Sequence, residues 1–143
     1  MLEWRENLSI GVDFVDNQHK EIFNRLNKLF IACSEGKCKE EIDVLVRFLE
    51  NYVIEHFWDE EQLQKDSEYP DFERHKAEHE KFVLDVKAVK EKIMQDDSSN
   101  HVLDIYHLVS NWLTNHISQT DRVFGIYYRE KYKNKYHCTC NQD

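Results

Sequence analysis

Ile54-Glu55-His56-Phe57-Trp58-Asp59-Glu60-Glu61 is the stretch on which the fold turns. His56 and Glu60 stand at i and i+4, the spacing that puts two side chains on one face of an α-helix. Upstream, Ile42, Leu45, Leu49 and Val53 lie on that same face, and Leu63 extends it downstream. An apolar stripe of helical period therefore runs straight into a pair of metal-binding side chains, at positions where a core Leu or Val would otherwise stand. On this spacing the second helix covers about Glu40 to Lys65.

The pattern recurs on both sides. Val15, His19, Ile22, Leu26, Leu29 and Cys33 make the stripe of a first helix, from about Asp16 to Ser34, with Gly36 as its stop. Tyr69-Pro70 breaks the chain, and Pro70 suits the first turn of a third helix. That helix runs to about Gln95 along Phe72, His75, His79, Phe82, Val86, Val89 and Ile93. Asp96 to Asn100 is a polar turn rich in N-cap residues, and the fourth helix carries Val102, Ile105, Val109, Leu113 and His116. Residues 1–16 lack a sustained period and are expected to form an extended arm, with a short, aromatic helical segment over 122–143. The predicted architecture is all-α: one domain, an antiparallel up-down-up-down four-helix bundle over 17–121, flanked by the arm and that segment.

Composition agrees. Of 143 residues only three are Gly and one is Pro, which favours long helices over a turn-rich β fold. A net charge of −9 without a basic stripe argues against nucleic acid or an anionic membrane as partner. The N-terminal Met1-Leu2-Glu3-Trp4-Arg5-Glu6 has no apolar core of a signal peptide, and no apolar run approaches a bilayer-spanning length, so a soluble, cytoplasmic protein is expected.

The metal-binding residues also agree in depth. His19 lies 15 residues before Ser34 and His56 lies 16 after Glu40; His79 lies 16 before Gln95 and His116 lies 16 after Asn100. Short connections make successive helices antiparallel neighbours, so all four helices meet at one level, ~24 Å from the end carrying both short turns. A single His on an apolar stripe is commonly a core or boundary residue. Jointly, burying several imidazoles and carboxylates without partners would be costly, and metal ions remove that cost. Five imidazoles (His19, His56, His75, His79, His116) and two carboxylates (Glu60, Asp121) exceed one tetrahedral ion but suit two ions sharing the carboxylates, and a di-iron centre is the expectation.

One pair does not fit a regular helix. Between His116 and Asp121 an α-helix advances about 500°, leaving the two side chains ~140° apart. For Asp121 to join the others, the fourth helix must gain a residue locally, as in a π-bulge, or unwind there; Gly125 would ease a break.

Together these features resemble the hemerythrin family, in particular its single-domain bacterial members. The resemblance rests on Trp4 with Ile10-Gly11-Val12, and on Asp16-Asn17-Gln18-His19-Lys20, then His56-Phe57-x-x-Glu60-Glu61. Tyr69-Pro70, His75-x-x-x-His79, Phe82 and Trp112-Leu113-x-x-His116-Ile117-x-x-x-Asp121 complete it. It implies that His75, His79 and His116 bind one iron and His19 and His56 the other, with Glu60, Asp121 and an oxo or hydroxo group as bridges. It further implies reversible O₂ binding at an open position on the two-histidine iron, for oxygen storage, delivery or scavenging. An electron donor or an oxygen-accepting protein is the further partner to expect. Ile22 and Phe23, one turn after His19, and Leu113 and Ile117, flanking His116, are the candidate walls of a dry O₂ pocket.

Two other readings compete. One is a di-iron oxidoreductase acting on peroxide, nitric oxide or ferrous iron; the other is an oxygen or iron sensor. Ferritin-like di-iron enzymes use mostly carboxylates with Glu-x-x-His spacing, so the His-rich set here favours O₂ binding over enzymatic activity. A sensor needs an output domain, which a bundle occupying the chain leaves no residues to build.

Four residues after Glu60, where many bacterial relatives carry Met, this chain has Gln64, which alters polarity at that end of the second helix but not the ligand set. Cys33 and Cys38 are expected at the far end of the bundle and, in a cytoplasmic chain, reduced. His137-Cys138-x-Cys140 has the donor types for a soft metal but sits in the tail; His101 and His107 are expected to be surface or structural.

Overall fold

The computed structural model describes residues 2–95 and 99–140, with the backbone alone for 99–101 and 134–140. Among these residues there is no strand. A 3₁₀ turn (Glu6–Leu8) interrupts the arm, and α1 follows (Asp13–Ser34). Next come α2 (Cys38–Phe48), a π-helical segment π1 (Leu49–Val53) and α3 (Ile54–Asp66), running end to end as one rod. The third rod is α4 (Phe72–Gln95); the fourth joins α5 (Ser99–Asn115), a second π segment π2 (His116–Asp121) and α6 (Arg122–Cys140).

The four rods form the expected bundle. α1 packs on α2 and α5, and α4 packs on α3 and α5. The apolar stripes close on one another: Val15, Ile22, Leu26, Leu29, Ile105, Val109 and Ile117 are all buried in one continuous core. The short connections are hydrogen-bonded turns. At the first, Gly36 takes φ +76, a left-handed conformation natural to glycine, and the Lys37 N–H reaches Ala32 O at 2.7 Å. At the second, Tyr69 N–H donates to Gln64 O at 2.9 Å, and Tyr127 Oη on α6 donates to Ser67 O at 2.5 Å. Pro70 lies in this turn, two residues ahead of α4.

Three expectations need correction. Helix α1 starts at Asp13, not near residue 16, so the arm is shorter. Asp16 anchors it: its Oδ2 accepts from Ser9 Oγ at 2.5 Å and its Oδ1 from the Ile10 N–H at 2.9 Å. Cys33 and Cys38 are joined in a disulfide across the first turn, which brings their Cα atoms to 4.1 Å. Finally, the C-terminal segment is no separate element; α6 continues the fourth rod through Gly125 without a break.

Gly125 has another task. A Cβ at this position would lie 2.3 Å from Ile10 O, a backbone atom of the arm that the Asp16 contact holds in place. Gly125→Ala is therefore expected to push the arm off α6 and cost about 2 kcal/mol, in the range of core overpacking. Thermal denaturation should show a fall of roughly 5 °C. An unchanged melting temperature would remove this close approach from the stability of the fold.

No described helix is long and apolar enough to cross a membrane.

Candidate metal centre

All four rods contribute to one buried cluster. His19 comes from α1, His56 and Glu60 from α3, His75 and His79 from α4, and His116 and Asp121 from the two ends of π2. Each of these side chains is at most 4% exposed, an unusual depth for two carboxylates. The π segment supplies the extra residue that the helical wheel demanded, turning Asp121 onto the face that carries His116.

The cluster divides in two. Glu60, His75, His79, His116 and Asp121 bring donor atoms within 4.8 Å of one another, and so do His19, His56 and Glu60. Both carboxylates straddle the division. Glu60 Oε1 lies 2.6 Å from His75 Nε2 and 3.6 Å from His79 Nε2, while its Oε2 lies 3.6 Å from His56 Nε2. Asp121 Oδ1 lies 2.9 Å from both His75 Nε2 and His116 Nε2, and its Oδ2 lies 3.1 Å from His19 Nε2. Each carboxylate thus turns one oxygen to two imidazoles of the His75, His79 and His116 group and the other to one imidazole of the His19 and His56 pair.

These contacts are close but poorly aligned. Both oxygens of Glu60 and of Asp121, and Nε2 of His19 and His75, have no hydrogen bond although they are buried. His79 Nε2 and His116 Nε2 approach to 3.0 Å. Donor atoms aimed at common points, rather than along hydrogen-bond lines, suit cations at those points. The electrostatics agree. Burial, reinforced by the Asp121 carboxylate, pushes Glu60 up to about 7. Burial also opposes charge on His75, yet its contacts with Asp121 and Glu60 push it up to about 10. His56 and His79 are held well below the usual imidazole range by burial and by neighbouring imidazoles, so their nitrogen lone pairs are available. Asp121, despite burial, is held well below the usual carboxylate range by His116 and the other histidines.

Behind the cluster stands a set of residues that helical spacing does not reveal. Gln18 Oε1 lies 2.6 Å from His56 Nδ1, Glu61 Oε2 lies 3.2 Å from His79 Nδ1, and Glu78 Oε2 lies 2.9 Å from His116 Nδ1. Gln64 contacts His75 Nδ1 at 2.9 Å. A signal was present: Gln18, Glu61 and Glu78 each adjoin a cluster residue in sequence. A side chain one residue along a helix is rotated about 100°, from the centre toward the adjoining rod.

Aromatic rings pack the flanks. Phe57 stacks on His79 with centroids 3.9 Å apart, and Trp112 stacks on His116 at 4.3 Å. The candidate pocket residues Ile22, Phe23, Leu113 and Ile117 are all buried. Phe23 also meets Trp4 edge-on at 5.6 Å and, with Leu2, Leu8 and Thr114, lines a surface cavity of about 300 Å³. His107 is exposed, as expected, whereas the side chains of His101, His137, Cys138 and Cys140 lie outside the described residues.

An all-helical bundle with a buried His/Glu/Asp cluster able to hold metal defines the class. The family model for the hemerythrin HHE cation binding domain matches residues 10–125, and the chain belongs to the hemerythrin family. It is 38% identical over 115 residues to a bacteriohemerythrin of Methylococcus capsulatus, covering 80% of this chain and 86% of that protein. To a bacteriohemerythrin of Stenotrophomonas maltophilia it is 33% identical over 129 residues, covering 87% and 80%. A crystal structure of wild-type hemerythrin superposes with a TM-score of 0.72 at 29% identity, covering 90% of this chain and 98% of the other.

Proposed function

We propose that this protein binds O₂ reversibly at a di-iron centre held by His19, His56, Glu60, His75, His79, His116 and Asp121. The observation that carries this is the division of Glu60 and Asp121, each with one oxygen against two imidazoles of the three-histidine group and the other against one of the two-histidine group. Such a set would hold two ions side by side, with Glu60 and Asp121 between them. The irons, when bound, supply the two electrons that O₂ takes up and gives back. The protein's own part is asymmetric: three imidazoles crowd one position and two the other, so a small ligand has room on the side of His19 and His56.

Ile22, Phe23, Leu113 and Ile117 would keep water from that side, where protonation would make the electron transfer irreversible. Leu113→Asn is expected to leave iron content nearly intact. It should shorten the lifetime of the oxygenated form on the order of tenfold, the effect of about 1.4 kcal/mol on a barrier. A lifetime unchanged by the substitution removes Leu113 from the pocket.

The deciding experiment is elemental analysis together with absorption spectra of the anaerobically reduced protein before and after air. About two Fe per chain and an oxygenated spectrum reversed by removing O₂ are expected. One tightly held Zn without Fe, in protein made in iron-replete cells, overturns the proposal. Steady consumption of O₂ or peroxide under turnover would move the protein to the oxidoreductases.

A further inference from the structure

The imidazoles of the cluster are not supported alike. Four of the five have a side-chain partner at Nδ1, which leaves Nε2 to face the centre. On the three-histidine side, His79 and His116 face the carboxylates of Glu61 and Glu78. Gln64, an amide, stands behind His75. On the two-histidine side, His56 has the Gln18 amide, and His19 Nδ1 is buried with no hydrogen bond. Both charged partners therefore stand behind one position and none behind the other.

An imidazole bound to metal through Nε2 carries its proton on Nδ1. Donating that proton to a carboxylate fixes the ring and makes Nε2 the stronger donor; donating it to an amide fixes the ring with much less gain in basicity. The same tautomer requires the Gln64 amide oxygen to face His75 Nδ1, which also gives a partner to Gln64 Oε1, otherwise buried without one.

We infer that Glu61 and Glu78 are positioning residues that make the two metal positions unequal. The ion among His75, His79 and His116 is bound more tightly, and the ion at His19 and His56 is the labile one. This rests on the two-ion reading above. It places the weaker hold on the side left open for a small ligand.

The test is an anaerobic titration of the full-length, metal-stripped chain with Co²⁺, followed by calorimetry and ligand-field absorption. The wild type should bind two ions in two resolved steps. Glu61→Gln and Glu78→Gln keep side-chain shape at partly exposed positions. Each should weaken the tighter step by about 10- to 100-fold, the usual cost of losing such a support, and leave the looser step within about twofold. Gln18→Glu should tighten the looser step. Two wild-type steps of equal affinity overturn the inference, as do Gln variants that shift both steps alike or neither, and a Gln18→Glu variant that shifts nothing. In each of these cases the di-iron proposal stands. A wild type that takes up only one ion overturns both.

Discussion

Glu60→Ala is expected to release at least one of two metal ions and to lower the melting temperature by about 10–15 °C. Glu60 is fully buried, with its two oxygens turned to different groups of imidazoles. Removing it takes away a donor from both positions at once and leaves the cations with less negative charge between them. An ion held at a thousand times its dissociation constant stabilises the fold by about 4 kcal/mol, which is lost with the ion. For a domain of this size that corresponds to roughly 3 °C per kcal/mol. Metal analysis and calorimetric melting of the purified variant check both parts. Retention of two ions with an unchanged oxygenated spectrum would show that Glu60 does not bridge.

A change in the length of π2 should be comparably large, and its sign depends on direction. Inserting one Ala after Gln119 rotates Asp121 by about 100° away from His116 and carries α6 with it. The variant should lose the Asp121 carboxylate from the cluster, most of its metal, and the packing of Phe124 against Tyr69 and His75. Deleting Gln119, an exposed residue, makes the His116–Asp121 spacing i,i+4, which an ordinary α-helix presents on one face. That variant should keep both donors and the metal. Should the deletion empty the site and the insertion spare it, the role given to π2 is wrong.

How far the site was legible follows from what helical periodicity encodes. His56 with Glu60 and His75 with His79 are i,i+4 pairs that continue apolar stripes, so spacing alone placed them inward. Asp121 was legible through the failure of the same rule, because five residues do not close a turn and a π segment does. The π1 segment over Leu49–Val53 left no such trace: no pair of functional residues straddles it to expose the change of period.

The remaining misses have tertiary causes. Asp13 and Asp16 open α1, but only the return of Ser9 and Ile10 onto Asp16 makes that start favourable. Gly125 reads locally as a break; it is small because the arm's Ile10 carbonyl crosses there. Reduced thiols were an inference from compartment, whereas a short turn after α1 brings Cys33 and Cys38 to bonding distance. Gln18, Gln64, Glu61 and Glu78 read as polar residues on helices, and only the neighbouring rod shows which imidazole each one meets.

Because all four rods send donors to the centre, the pair of ion positions in the proposed site is complete only once the whole bundle has assembled. Ions then bind the folded form almost alone and raise its share by mass action. A copy made when iron is scarce keeps a buried cluster of imidazoles and carboxylates in its core and opens more often, and each opening offers its backbone to proteases. The number of intact molecules in a cell would then follow the supply of iron without any change in the rate at which they are made.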